Sequence, residues 1–306
     1  MKKNKIKKLP LVSVILNCHN GKKYINESIR SVLNQSYENW ELIIFDNNSN
    51  DNTKSEISKF RDKRIRYFRT NKLYNLYHAR NLAIKKSKGK LISFIDADDW
   101  WLNNKLELQV KLFLNSKKVE VVYSNLFIFN EIKNKYKIFS RKKLYKGKIT
   151  QPLINDFKMP ILTTILKKDI FKSNQFDKRF NIIGDFDFFV RLSLKKNIIS
   201  IQEPLAFYRI HSSNLTSKRL DLTIKELEIW LKEKFKNKNY KFFNLKSVCK
   251  LIQKLKIKDN LIKGNKFQAF KELFKKPYFI SKFKFIFLIF IPKSYIKFLW
   301  RKGQEV

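Results

Sequence analysis

The chain has 306 residues, of which 43% are hydrophobic and 15% are aromatic, and it carries 67 lysine and arginine residues against 26 aspartate and glutamate residues. This length and apolar content exclude an intrinsically disordered chain and are enough for one large or two small folded domains. The formal net charge of +41 suits a nucleic-acid or anionic-membrane partner, although a lysine-rich composition from A/T-biased coding accounts for the larger part of it.

Cysteine content and hydropathy indicate a reducing, cytoplasmic setting. Cys18 and Cys249 offer neither a disulfide framework nor the spacing of metal ligands. No run of about 18 consecutive apolar residues occurs, so a membrane-spanning helix is not expected. The stretch from Pro10 to Asn17 is too short and too strand-like for a signal peptide.

Short apolar runs alternate with amphipathic stretches in the first hundred residues. The apolar runs predict strands at Val12–Leu16, Leu42–Phe45, Ile65–Phe68 and Leu91–Ile95. The amphipathic stretches predict helices at Tyr24–Leu33, at Thr53–Phe60 and from Tyr77 to Ala83 onward. This alternation predicts an α/β fold with a Rossmann-like, mostly parallel sheet flanked by helices. Right-handed crossovers would then bring Asn17–Gly21, Asp46 and Asp96 to one edge of the sheet.

The region after Trp100 continues this alternation. The pattern predicts a helix over Trp100–Leu114, a strand over Val119–Phe129 and a surface hairpin or loop over Asn130–Gly147. An ordered pattern resumes over Gln151–Ile210. Beyond Leu220 the chain changes to long lysine-rich helical patterns with phenylalanine and leucine, which predict a helical extension.

Three carboxylates follow the fourth predicted strand within four positions. Asp96 and Asp98 point the same way if the backbone is extended, so one can hold a ribose or a metal ion and the other a metal ion. Because clustered carboxylates repel one another, a cation should offset their charge, and a hard divalent cation bound to a nucleotide diphosphate is the simplest candidate. Capping of the next helix accounts for Asp99 but leaves Asp96 and Asp98 unexplained.

Asp46 ends the second predicted strand, where a carboxylate can accept hydrogen bonds from a base or a ribose hydroxyl. We assign the nearby Asp51 to capping of the following helix. His211 is one of three histidines and follows the predicted strand Leu205–Ile210. For His211, a contact with a ligand or phosphate and a purely structural role are equally supported.

Asp185 follows Gly184 at the start of a predicted amphipathic helix, which is a good exposed position for a general base. The ordinary pKa of aspartate is about 3.9, so an effective base there needs burial or a neighbouring carboxylate. The alternative is that Asp185 and Asp187 complement the helix dipole, which is sufficient for Asp187.

Together these segments resemble the family 2 glycosyltransferases, which have the GT-A fold. The matching segments are Val12–Gly21 for the opening strand and nucleotide loop, Asp46 for the base contact, Ala79–Asn81 before the central strand, Asp96–Asp99 for the DxD motif, Gly184–Asp185 for the Glu-Asp pair and Tyr208–His211 for the Tyr-Arg-x-His segment. The chain departs from the family pattern at His19 for Tyr, at Asn47 for Asp and at Gly184 for Glu. It lacks the Gln-x-x-Arg-Trp motif of processive synthases, which implies a single transfer.

The resemblance implies a GT-A catalytic domain over residues 9–216 and a helical basic and apolar extension over 217–306. It implies an inverting transfer of one sugar from a nucleotide-sugar, most simply a UDP-sugar, to a saccharide or lipid-linked acceptor in cell-surface polysaccharide biosynthesis. The residues that would bind the nucleotide are Cys18, His19, Asp46, Arg80 and Asp96. Asp98 and His211 would bind Mg²⁺ or Mn²⁺, and Asp185 would be the catalytic base.

The C-terminal segment combines apolar and basic residues. Tyr278–Pro292 is strongly apolar, and Lys293–Lys302 is rich in lysine and aromatic residues. Packing of a terminal helix pair on the catalytic domain is one interpretation. We favour interfacial attachment to anionic lipids on the inner face of the cell membrane, which suits a lipid-linked acceptor.

Two other classes of protein remain as alternatives. The charge and the aromatic residues permit a nucleic-acid-binding protein, but carboxylates at successive strand ends would repel phosphates, so no nucleic-acid partner is expected. A metal-dependent nucleotidyltransferase would need a glycine-rich basic loop after the first strand, and Asn17–Gly21 is a poor match.

Overall fold

The computed structural model describes residues 9–212, 214 and 219–274. Among these residues, contacts define two compact units. The first comprises residues 9–153 and 157–211, and the second comprises residues 154–156 and those after 211. The apolar and basic segment predicted at 278–302 lies outside the described residues.

A mixed sheet forms the centre of the first unit. Its strands are β1 (Val12–Cys18), β2 (Trp40–Asp46), β3 (Ile65–Arg69), β4 (Leu91–Asp96), β5 (Trp100–Trp101), β6 (Val121–Asn130), β7 (Lys135–Ile138), β8 (Thr164–Lys167) and β9 (Ile198–Ile210). The helices before residue 200 are α1 (Ile25–Leu33), α2 (Thr53–Ser58), α3 (Leu76–Lys85), α4 (Lys105–Asn115), α5 (Thr150–Asn155) and α6 (Gly184–Ser193).

The strand order is β3-β2-β1-β4-β8-β6-β9-β5, with β7 paired to β6. The first four strands are parallel, as predicted. Every residue of β1 and β2 is buried, because helices cover both faces of this part of the sheet, and such strands are continuous apolar runs. One face packs on α1 through Ile25, Ile29 and Val32, and α3 packs on β1 and β2.

The remaining half of the sheet is mixed and less parallel than predicted. β8 runs antiparallel to both β4 and β6, while β6 and β9 are parallel. The helix predicted from Trp100 begins only at Lys105. Trp100 instead pairs with Phe207 of β9, and their rings stack with centroids 4.6 Å apart. Ring stacking and strand pairing outweigh the local helical pattern there.

The second unit is helical, as predicted for the extension. Its helices are α7 (Leu220–Lys236), α8 (Lys246–Lys263) and α9 (Lys266–Phe274). Helix α8 ends at Gly264, whose φ of 90° provides a left-handed C-terminal cap. Among the residues that the structure describes, no helix combines the length and apolar character needed to cross a bilayer.

Candidate functional site

Polar side chains gather where the parallel strands end. Cys18 of β1 lies opposite Asp46 of β2, and Asn17 lies opposite Asp96 of β4. Asp46 and Asp96 therefore flank the end of β1, in agreement with the predicted sheet edge. Ligands of open α/β sheets bind beyond this end of the strands.

Two loops at this edge are locked together by hydrogen bonds. The Asn20 amide donates to Ser49 Oγ at 2.9 Å, and the Gly21 amide donates to Thr53 Oγ1 at 2.8 Å. Asp51 accepts from the amide of Thr53, at the start of α2, and from that of Lys22. One wall of the candidate site is thus held by side chains of both loops.

The residues predicted to contact the nucleotide differ in their exposure to solvent. His19 is exposed, and its Nδ1 lies 3.0 Å from the Asn47 carbonyl oxygen. The Asp46 carboxylate is fully buried and accepts from the Ser49 amide and the Tyr67 hydroxyl. Asp46 therefore stabilises the conformation of the loop that contains Ser49. Cys18 was predicted as a nucleotide contact; its thiol is buried against the Phe45 carbonyl, and burial raises the pKa of that thiol well above its ordinary value.

Arg80 of α3 joins two of the predicted site carboxylates. Its Nη2 donates to Asp96 Oδ1 at 2.9 Å, and its Nη1 donates to Asp185 Oδ1 at 2.8 Å. The guanidinium is only 2% exposed and lies over the rings of Tyr77, Phe94 and Phe176. Because both carboxylates already occupy it, Arg80 acts as a fixed bridge in this structure, whereas the sequence suggested a nucleotide contact.

Asp185 has the properties that a general base requires. Its carboxylate is 22% exposed, so it is reachable from solvent. Burial raises its pKa to about 6; Arg80 and Tyr77 oppose this rise, and Asp96 adds to it. Burial also raises the pKa of Asp96, against the effect of Arg80. A base with a pKa near 6 is ionised at neutral pH and still accepts a proton readily.

The second predicted pair is Asp98 and His211. Asp98 follows the bridged Asp96 by two positions in the chain. His211 Nε2 is 2.9 Å from Asp98 Oδ2, and the Asp98 side chain is 29% exposed. Arg209 Nε donates to the Asp98 carbonyl at 2.9 Å, and the same guanidinium pairs with Glu27 of α1. The structure therefore brings the DxD loop and the Tyr-Arg-x-His segment together.

Several residues that support the DxD loop were not predicted. The Ser28 hydroxyl of α1 contacts the carbonyl oxygens of Ala97 and Asp99 at 2.9 and 2.6 Å. Asp99 was predicted to cap a helix, but it is buried and accepts from the Arg209 amide, while Asn104 precedes α4. Asp99 thus ties the loop to β9. A serine among the apolar residues of an amphipathic helix was the available signal for Ser28.

The side chains of Asp98 and His211 offer ligand atoms that fit a divalent cation, provided that the substrate supplies further ligands. Carboxylate oxygen and imidazole nitrogen are both ligands of Mn²⁺-type ions. Within residues 9–212, 214 and 219–274, no cluster of three or more His, Cys, Asp or Glu side chains has the geometry of a metal site. An ion held by this pair would therefore take its further ligands from a diphosphate and water.

Comparison with known proteins gives a consistent result. The model of the family described as glycosyl transferase family 2 matches residues 13–176. The Escherichia coli protein WfgD, described as a UDP-Glc:alpha-D-GlcNAc-diphosphoundecaprenol beta-1,3-glucosyltransferase, is 32% identical over 213 residues, which are 68% of this chain and 81% of that protein.

Two solved structures share the fold at low sequence identity. The S. aureus TarS 1-349 complex with UDP-GlcNAc has a TM-score of 0.60 and 16% identity, over 80% of this chain and 71% of that one. The mannosyltransferase PcManGT from Pyrobaculum calidifontis, in complex with GDP-Man and Mn²⁺, has a TM-score of 0.55 and 14% identity, over 74% of this chain and 65% of that one. These likenesses confirm the predicted GT-A architecture.

Proposed function

Because the chain belongs to glycosyl transferase family 2, we propose that it transfers one sugar from a UDP-sugar to a lipid-linked saccharide in polysaccharide biosynthesis. Its glycosyltransferase activity follows from the family. The donor and acceptor are proposed from the similarity to WfgD, which is described as using UDP-Glc and a diphosphoundecaprenol-linked GlcNAc. The missing processive-synthase motif supports a single transfer.

The observation that carries this proposal is the Arg80 bridge. It joins a carboxylate of the DxD motif to the carboxylate of the candidate base, with both N–O distances below 3 Å. Donor binding and proton removal from the acceptor are thereby assigned to neighbouring groups in one cleft. Charge-assisted hydrogen bonds of this kind hold their partners in a defined geometry.

The proposed reaction is a direct displacement with inversion. Asp185 removes the proton from the acceptor hydroxyl, and the acceptor oxygen bonds to the anomeric carbon on the face opposite the diphosphate. The bond from that carbon to the diphosphate oxygen breaks, and UDP leaves with the bonding electrons. Asp98 and His211 would hold Mg²⁺ or Mn²⁺, which offsets the charge of the leaving diphosphate.

The nucleotide side of the cleft is assigned to the two interlocked loops. His19 is an exposed residue of the first loop, while Asp46 holds the loop that carries Ser49. We propose that Asp96 faces the ribose or the metal ion through the part of its carboxylate that Arg80 leaves open. One third of the Asp96 side chain is exposed, which permits such a contact.

Binding and turnover test this function in two stages. UDP with Mn²⁺ should stabilise the protein by about 2.7 kcal/mol at a hundred times its Kd, whereas oligonucleotides at matched ionic strength should not. Incubation with UDP-Glc or UDP-GlcNAc and a GlcNAc-diphospho-lipid should then give one added sugar. Stabilisation by oligonucleotides without any effect of UDP would overturn the assignment.

We also propose that the second unit docks on the cytoplasmic face of an anionic membrane. Helix α9 exposes Phe267, Phe270 and Phe274 to extents of 76, 46 and 49%, and these residues share one helix face. Residues 219–274 carry fifteen lysine and arginine residues against six aspartate and glutamate residues. Exposed aromatic side chains beside basic ones suit anionic headgroups over an acyl boundary.

Vesicle sedimentation tests the docking surface. Replacing Phe267, Phe270 and Phe274 by serine should weaken binding to phosphatidylglycerol vesicles at least tenfold, and neutral phosphatidylcholine vesicles should bind poorly. A control triple variant replaces the exposed Leu73, Ile132 and Tyr136 by serine and should bind as the parent does. Unchanged binding by the α9 variant together with lower thermal stability would show instead that this face packs on the chain itself.

A further inference from the structure

Tyr77 of α3 and Gly184 of α6 fit together with little space between them. A Cβ atom at position 184 would lie 2.4 Å from Cδ2 and Cε2 of the Tyr77 ring. Real contacts of that length do not occur, because they are far inside van der Waals distance. Among the described glycines, positive φ angles occur at Gly147 and Gly264, so Gly184 is required for space.

The Tyr77 side chain also lies beside the proposed base. It is buried, and its hydroxyl donates to the Ile182 carbonyl at 3.1 Å. Tyr77 also opposes the rise in the pKa of the Asp185 carboxyl group. The Tyr77 hydroxyl thus anchors the segment immediately before α6, in which Asp185 is the first charged residue.

One face of α3 supplies both neighbours of the base. Tyr77 and Arg80 are three positions apart and therefore lie side by side on the helix. The Arg80 guanidinium lies 5.3 Å from the centroid of the Tyr77 ring, and the ring stacks on Phe176 at 5.6 Å. The ring consequently supports the guanidinium that binds Asp185, and it packs on Gly184 immediately before that residue.

We propose that Tyr77 is a positioning residue for Asp185 and that Gly184 is the opening that admits its ring. The departure from Glu at position 184 then has a physical reason: the tyrosine from α3 occupies the volume of a side chain there. This inference rests on the proposed function, because it takes Asp185 as the general base. Tyr77 does not touch the reacting atoms and acts through the orientation of Asp185 and Arg80.

The variant Tyr77→Phe isolates the hydroxyl, because the ring still fills the space above Gly184. We expect kcat to fall about fivefold, because the segment that leads into Asp185 loses the hydrogen bond between the Tyr77 hydroxyl and the Ile182 carbonyl, while the KM for the UDP-sugar and the Kd for UDP stay within twofold. Tyr123→Phe is the matched control: Tyr123 is also buried, and its hydroxyl donates to the Tyr145 carbonyl at 2.7 Å. That control should leave kcat unchanged.

The packing part of the proposal is tested by a double-mutant cycle on stability. In the wild-type background, Gly184→Ala should lower the urea midpoint of unfolding. In the Tyr77→Ala background the same substitution should lower the midpoint much less, because the clashing ring is gone. Additive effects of the two substitutions would overturn the packing claim. Since this measurement needs no substrate, it stands even if the enzyme uses another donor.

The kinetic outcomes separate this inference from the proposed function. If Asp185→Asn is inactive while Tyr77→Phe keeps the full kcat, the positioning role is wrong and the base assignment stands. If the wild-type protein transfers no sugar and Asp185→Asn changes nothing, the proposed function fails. A fall in kcat with an equal rise in the KM for the donor would show that Tyr77 serves donor binding instead.

Discussion

Two side-chain groups at the same sheet edge are held by chemically different partners. Asp96 and Asp185 share the Arg80 guanidinium, whereas Asp98 is paired with the His211 imidazole. A guanidinium keeps its charge at any ordinary pH and does not bind metal ions. An imidazole nitrogen and a carboxylate oxygen are both donors that bind metal ions. The inner group is therefore held together by the chain itself, and the outer pair consists of two side chains of kinds that bind cations.

The largest expected effect is the loss of the base in the inner group. Asp185→Asn should lower kcat by ~10²–10⁴-fold, because an amide cannot take the proton of the acceptor hydroxyl. The Kd for UDP should stay within twofold, since the metal pair is untouched. Single-turnover rates and calorimetric titration with UDP check the two halves of this expectation.

Asp187→Asn is the matched control on the same helix. Asp187 is bonded to Arg191 one turn later and is buried, so its loss should reduce stability but leave kcat within about threefold. Loss of UDP binding in Asp185→Asn would contradict the separation of the two groups.

The next effect concerns the stability that Arg80 contributes. Arg80→Met would leave Asp96 and Asp185 without their shared cation, and roughly 3 kcal/mol should be lost at pH 8, the low end for a broken buried ion pair, because both carboxylates are partly exposed. The loss should be smaller at pH 5, since the carboxylates then take up protons. Urea unfolding at both pH values measures this.

Asp98→Ala provides the contrast from the outer pair. We expect its free energy of unfolding to change by less than about 1 kcal/mol, because the Asp98 side chain is 29% exposed and such ion pairs contribute little. A loss equal to that of Arg80→Met would show that the outer pair is structural as well.

The same Asp98→Ala variant should weaken nucleotide binding only when a metal is present. We expect the Kd for UDP in Mn²⁺ to rise at least about tenfold, which is the scale of changes in metal-site residues. In EDTA the parent and the variant should bind UDP equally. Equal affinities in Mn²⁺ would rule out Asp98 as a metal ligand.

The parallel part of the fold could be predicted because its signals are local. β1 and β2 are buried along their whole lengths, so each is a continuous apolar run. β8 was not predicted, because it has four residues and its partner Ser93 in β4 lies more than seventy positions before Ile165. Trp100 was assigned to a helix, and only its distant partner Phe207 shows why it is extended.

The site residues, too, could be predicted where the signal was local in the chain and not where it was distant. Asp96, Asp98 and Asp185 could be singled out because each follows an apolar run or a glycine. Arg80 was also named, as a nucleotide contact, but its bridge to Asp185 could not be predicted, since the two residues are 105 positions apart in the chain. The burial of a side chain was equally hard to predict: the resemblance that implied Cys18 as a nucleotide contact says nothing about which way its thiol points.

The smallest effect is the pH dependence of turnover, which tests the inner group without changing it. With a pKa of about 6, Asp185 is ionised above pH 6 and protonated below it. Only the ionised form accepts a proton, so kcat should be flat above about pH 7 and fall tenfold per pH unit well below 6. The residual activity of Asp185→Asn should lack this limb. A limb near pH 4 would instead indicate an ordinary, well-hydrated carboxylate and would contradict the effect of burial on Asp185.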